Sequence, residues 1–208
     1  MNEQEILNRI KKKAKEDHEY FGNKNKPERE RYVASLFLSI LGLEFNEDEL
    51  SSPEQSSNVD VIFKECRFQV KEVMDEGYPR GQFYKDCRKS AEKAKSLADL
   101  HLVSKGRDIP PPDTMYNLVL KKMPSFSEKY APGDRKEIDL LIYLTITRAS
   151  LLQECELKKT DFADLGWRSV CCVNEKQAVV LFSSNEAPSL IKLHSGKVIW
   201  RRKDQVND

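Results

Sequence analysis

Residues Ile138–Thr147, IDLLIYLTIT, form a nearly continuous apolar run. A strand with that pattern is covered on both faces, as central strands of helix-flanked sheets are. The run therefore predicts a buried central strand, and the rest of the chain must supply its neighbours and its cover. Val59–Lys64 and Arg67–Met74 alternate apolar and polar residues and are rich in branched and aromatic types, which predicts two further strands. Cover comes from helical spacing over Asn2–Phe21, over Glu28 to about Leu41, and from Phe83 to about Leu100. In the second of these, Val33, Ala34, Phe37, Ile40 and Leu41 share a face, Pro27 suits the first turn and Gly42 supplies a stop.

Leu43-Glu44-Phe45 is expected to begin a first, weak strand, and Gly77-Tyr78-Pro79-Arg80-Gly81 a turn. Gly106–Lys136, with Pro110-Pro111-Pro112, reads as a long irregular segment in which Met115–Lys122 is compatible with helix or strand. His101-Leu102-Val103 is open in the same way. After a charged helix-like stretch, Trp167–Arg202 reads as several short strands with turns at Asn174-Glu175 and Ser195-Gly196. The expected organisation is an N-terminal helix at 1–26, a core at 27–150 and a β-rich C-terminal extension of the same domain at 151–208.

A chain of 208 residues with 39% hydrophobic and 33% charged residues suits one globular domain. No apolar run reaches the length of a membrane span, and the charged N-terminus does not resemble a signal peptide, so a cytoplasmic address is expected. The five cysteines are scattered without CxxC spacing, which argues for free thiols over a structural zinc site. A net charge of +1 means that any nucleic-acid binding must come from a local patch.

The two alternating strands carry the chemistry. A tight loop at Glu65-Cys66, or a four-residue one, sets Asp60 opposite Lys71 and Val61 opposite Val70. In that register Asp60, Gln69 and Lys71 leave one face while Val61, Phe63, Phe68 and Val70 cover the other. A carboxylate and an amide oxygen are hard ligands for Mg²⁺, the Val70 carbonyl is a further candidate, and a nearby lysine can position or deprotonate a water. Glu30 lies on the inward face of its helix, where its charge requires compensation, and is the third acid nominated. The alternative for Asp60 and Lys71 is an ordinary cross-strand ion pair. Lys85, Arg88, Lys89 and Lys93 form one basic side of the third helix, preceded by Arg80 and Tyr84; they are either a solvated face or phosphate contacts.

Asp60 followed by Gln69-Val70-Lys71, with Glu30 on the preceding helix, resembles the metal site of the PD-(D/E)XK nuclease superfamily. Segments PERERYVASLFL, NVDVIFKE and FQVKEV resemble a bacterial family of nuclease-like domains of unknown function. The resemblance implies a restriction endonuclease-like αβββαβ core with a mixed central sheet flanked by helices. It also implies hydrolysis of DNA phosphodiester bonds with Mg²⁺ or Mn²⁺, and a homodimer as the assembly to test. Asp60, Gln69 and Glu30 with the Val70 carbonyl would hold the cation, and Lys71 would assist the nucleophile. Two departures stand out: Gln69 occupies a position where an acid is commonest, and no proline directly precedes Asp60. The alternative is a nuclease-fold module of weak or lost activity that binds nucleic acid or a protein.

Overall fold

The computed structural model of the chain describes residues 2–22, 25–54, 57–73, 80–100, 115–145 and 160–202. The turn at 77–79, the segment His101-Leu102-Val103, the three prolines at 110–112 and the stretch 148–159 lie outside the described residues. The chain divides into two compact units, Met1–Lys26 with Asp75–Pro111, and Pro27–Met74 with Pro112–Asp208.

The smaller unit is helical. Helix α1 (Glu3–Tyr20) starts at a capping box, in which Asn2 Oδ1 accepts the Glu5 N–H and Glu5 Oε2 accepts the Asn2 N–H, both at 2.9 Å. Its polar side carries four-residue-spaced ion pairs, Lys12–Glu16, Lys13–Asp17 and Lys15–Glu19.

The larger unit contains helix α2 (Lys26–Ile40) from Pro27 onward, then strands β1 (Val61–Phe63) and β2 (Cys66–Val73). Helix α3 (Arg80–Lys93) belongs to the smaller unit and packs on α1. The larger unit resumes with α4 (Met115–Ser127), α5 (Pro132–Arg135), β3 (Asp139–Leu144), α6 (Thr160–Ala163), β4 (Ser169–Val173), β5 (Gln177–Ser183), α7 (Ser189–Leu193) and β6 (Val198–Trp200). Among the described residues these strands form one six-stranded mixed sheet in the order β1-β2-β3-β4-β5-β6. β2, β3 and β4 run parallel, and the remaining pairs are antiparallel.

The apolar run behaves as its composition requires. Leu140, Leu141 and Ile142 of β3 are buried, and alternate residues feed two cores, one on each side of the sheet. On one side Leu141 meets Val61, Phe63 and Phe68 together with Val33, Phe37 and Leu38 of α2 and Ile191 of α7. On the other, Leu140 and Ile142 meet Val119 and Met123 of α4, Phe162 of α6 and Trp167. Truncation of a buried aromatic such as Phe37 costs roughly 3–5 kcal/mol in cores of this kind. The turns at Asn174-Glu175 and Ser195-Gly196 fall where the sequence places them, between β4 and β5 and before β6.

Two expectations are corrected and one open choice is settled. Leu43-Glu44-Phe45 forms no strand, because the end of α2 takes its backbone first. Gly42 (φ 81°) donates to Ser39 O at 2.9 Å and Leu43 donates to Leu38 O at 3.2 Å, the paired bonds of a Schellman cap. Leu43 and Phe45 pack on the core instead, and the outer neighbour of β1 is a single bridge from Ser51 to Ile62. The choice left open at Met115–Lys122 falls to a helix, Met115–Ser127, which continues through Pro124 and is anchored to the second core by Met123 and Phe126. The hairpin register also moves by two residues. Val61 pairs with Phe68, Ile62 with Arg67 and Phe63 with Cys66, around a turn at Lys64-Glu65 in which Lys64 has φ 51°. The turn, moved back by one residue, puts two charged residues at the tip and buries Cys66 opposite Phe63, giving an extra apolar pair.

Candidate active site

A two-residue shift preserves the face of every side chain, so Asp60, Gln69 and Lys71 still leave the same side of the hairpin. What changes is the partner. Asp60 now lies across from Gln69, and Lys71 lies further along β2. Asp60 continues the backbone ladder by donating to Phe68 O at 2.8 Å, and its side chain then takes over where the ladder stops. Asp60 Oδ2 accepts the Val70 N–H at 3.0 Å and a hydrogen bond from Gln69 Nε2. Because N–H and C=O of one strand residue point to the same edge, the Val70 carbonyl also faces the Asp60 side. Gln69 is buried, whereas Asp60 and Lys71 are half-buried.

Glu30, on the first turns of α2, is buried, and so is an acid within a predominantly apolar face. Burial pushes the Tyr130 hydroxyl up to about 12, with Asp60 and then Glu30 adding to the shift through their negative charge. The Lys71 amine lies over the same ring, 5.3 Å from its centroid, within the range of an attractive cation–ring contact. Asp60 and Gln69 are thus joined by a hydrogen bond and Lys71 stands over the Tyr130 ring, at the open end of the β1–β2 hairpin, while Glu30 is a buried acid of α2.

Tyr130 comes from the segment least readable in the sequence, just after α4 and before Pro132 opens α5. Nothing in its spacing marks it; only the fold brings it to β2. It packs edge-on against Trp167 with centroids 5.3 Å apart, and Trp167 Nε1 donates to Ser127 Oγ at 3.1 Å. A second buried polar group was also unmarked. Asp139, at the head of β3, accepts from Arg168 Nε at 3.1 Å, Ser169 Oγ at 2.7 Å and the Arg67 N–H at 2.9 Å. An acid opening an apolar strand was the available signal, since its charge must be compensated.

The basic residues of α3 are in the smaller unit. Lys85 and Lys89 are exposed, Arg88 is tied to Glu92 at 2.7 Å, and Tyr84 stacks on Phe21 with centroids 4.1 Å apart. The side chain of Arg80 lies outside the described residues. No described helix is long and apolar enough to cross a membrane.

A family model described as "Putative endonuclease, protein of unknown function (DUF1780)" matches residues 2–206. The chain belongs to the DUF1780 family. No curated protein matches it. A solved structure of a protein of unknown function from Pseudomonas aeruginosa strain PAO1, described as a member of a monooxygenase superfamily, is similar at a TM-score of 0.62. The two share 23% identity over 97% of each chain, a likeness that speaks for the fold of this DUF1780 chain alone.

The donor set around Asp60 can be weighed against a metal. Among the described residues no three His, Cys, Asp or Glu side chains gather as a metal-binding group. What the DUF1780 site offers instead is carboxylate, amide and carbonyl oxygen, the hard ligands that suit Mg²⁺. That ion commonly takes one or two protein carboxylates and completes its shell with water and phosphate.

Proposed function

We propose that the protein is a metal-dependent endonuclease that hydrolyses phosphodiester bonds in DNA, on a restriction endonuclease-like core. The observation that carries the reading is the hydrogen-bonded pair of Asp60 and Gln69 on the same side of the hairpin as Lys71, with Glu30 a buried acid on α2. Membership of a family described as "Putative endonuclease, protein of unknown function" supports it. In this reading Asp60 and the Val70 carbonyl, with Gln69 and Glu30, hold Mg²⁺ or Mn²⁺. Rotation of the Gln69 amide exchanges its N–H₂ for its oxygen, turning a donor to Asp60 into a ligand. The metal would supply charge neutralisation at the scissile phosphate. Lys71 holds the attacking water or balances the charge that grows on the phosphate oxygens. Lys85 and Lys89 would add sequence-independent phosphate contacts with Arg80, Tyr84 and Arg88. A homodimer is the assembly to test by solution mass.

The purified protein is incubated with supercoiled, linear and single-stranded DNA across Mg²⁺ and Mn²⁺. Cleavage that Asp60→Asn and Lys71→Ala remove supports the reading; no cleavage of any form with any metal rejects it. One observation favours a second reading, a nuclease-fold module that binds nucleic acid or a protein without cutting. Asp60 Oδ2 already has two donors and caps a strand edge, which is a sufficient structural role. Metal-independent binding of DNA that survives Asp60→Asn would favour that module.

A further inference from the structure

We propose that Tyr130 is a positioning residue for Lys71, whose ammonium it holds against its ring face and so fixes on the Gln69 side of β2. A lysine on a strand has four rotatable side-chain bonds and sweeps a wide arc unless something defines its end. Here the end is defined at 5.3 Å from the Tyr130 centroid. The ring cannot follow the lysine, because it is held from behind. Trp167 is buried against it edge-on, Trp167 is fixed by Ser127 at the end of α4, and the Tyr130 N–H donates to Ser127 O at 3.3 Å. Pro132, two residues on, locks the following backbone into α5.

The electrostatics point the same way. The face of an aromatic ring carries negative potential, which attracts an ammonium seated above it. The bland alternative is that Tyr130 only shields Trp167, with the lysine above it by coincidence.

The contact is read directly in the full-length protein by NMR of ¹³C-labelled lysine, with Lys71→Arg identifying the Lys71 signal. A lysine seated on a ring face has its ε protons displaced upfield by the ring current. The expected wild-type signal is therefore upfield of the other lysines. Tyr130→Phe keeps the displacement, and Tyr130→Leu or the less intrusive Tyr130→Met abolishes it. A wild-type Lys71 signal at the ordinary lysine position would overturn the proposal with no variant needed, as would an unchanged signal in a folded Tyr130→Leu.

The consequence for turnover rests on the nuclease reading, and the resonance does not, so the two can fail separately. If the protein cuts DNA, Tyr130→Leu lowers kcat about tenfold with KM within about twofold, and Tyr130→Phe restores most of the loss. Equal losses in the Phe and Leu variants would assign the effect to the hydroxyl and overturn the role of the ring.

Discussion

Arg168 encloses Asp139 at the head of the central strand, its Nε and Nη2 reaching the two different oxygens of one carboxylate while both side chains are buried. The second Nη2 bond, to Glu65 O at 3.0 Å, ties the pair to the β1–β2 turn. Removing one partner leaves a buried charge with only Ser169 and a backbone N–H to balance it. Arg168→Ala should therefore lower unfolding stability by roughly 3–5 kcal/mol in urea titrations. Replacing both partners with apolar residues of similar size should recover most of that loss; an Arg168→Ala variant as stable as wild type would show that the pair contributes little.

Gln69 determines how firmly a cation could be held. In Gln69→Glu a second carboxylate faces Asp60 in a buried position, where like charges repel. Without metal the variant should melt below wild type. Millimolar Mg²⁺ should raise its melting temperature more than it raises that of wild type, since ligand binding to the native state alone is stabilising. Equal Mg²⁺ responses in the two proteins would argue that no cation sits there.

Tyr130 gives a pH dependence with a definite sign. Its folded hydroxyl titrates at about 12, above the ordinary 10, so the folded state keeps a proton that the unfolded state releases. Stability from this group is full below pH 10 and is lost as pH rises toward 12. Wild type should therefore lose stability relative to Tyr130→Phe across that window, followed by phenolate absorbance and thermal melts together.

Burial and, for two of the thiols, the nearby Asp139 carboxylate suppress cysteine reactivity. Cys66 and Cys172 are pushed up to about 12, and Cys171 also lies well above the ordinary range. Because the thiolate is the nucleophile, these three should resist alkylation at pH 8 until the protein unfolds. Cys87 is partly accessible, and its thiol is raised by what burial it has. Peptide mass mapping after brief iodoacetamide treatment should find it modified well ahead of the other three.

The features legible in the sequence were those set by local periodicity. Ile138–Thr147 announced a strand covered on both sides, the α2 stripe announced its cover, and hairpin alternation put Asp60, Gln69 and Lys71 on one side. Alternation fixes the face of a side chain but not which residue it opposes, so the two-residue shift was invisible to it. That shift depended on Lys64 adopting a left-handed turn and on Cys66 entering the core. Leu43 looked extended because nothing local reveals that its N–H is used by a helix cap. Tyr130 was illegible for a different reason: its role depends on contacts far away in sequence, with β2 and Trp167.

The shortness of β1 carries one more consequence. Both outermost strands of the sheet, β1 and β6, have three residues, and beyond Phe68 the Asp60 carboxylate occupies the place of a neighbouring backbone. An open strand edge is a template for another chain, and a charge set against it is a common safeguard. Among the described residues Asp60 sets its charge against that edge, the device that discourages edge-to-edge pairing. Its replacement by alanine would strip the charge and expose the Val70 amide at once, inviting copies of the protein to zip together edge to edge.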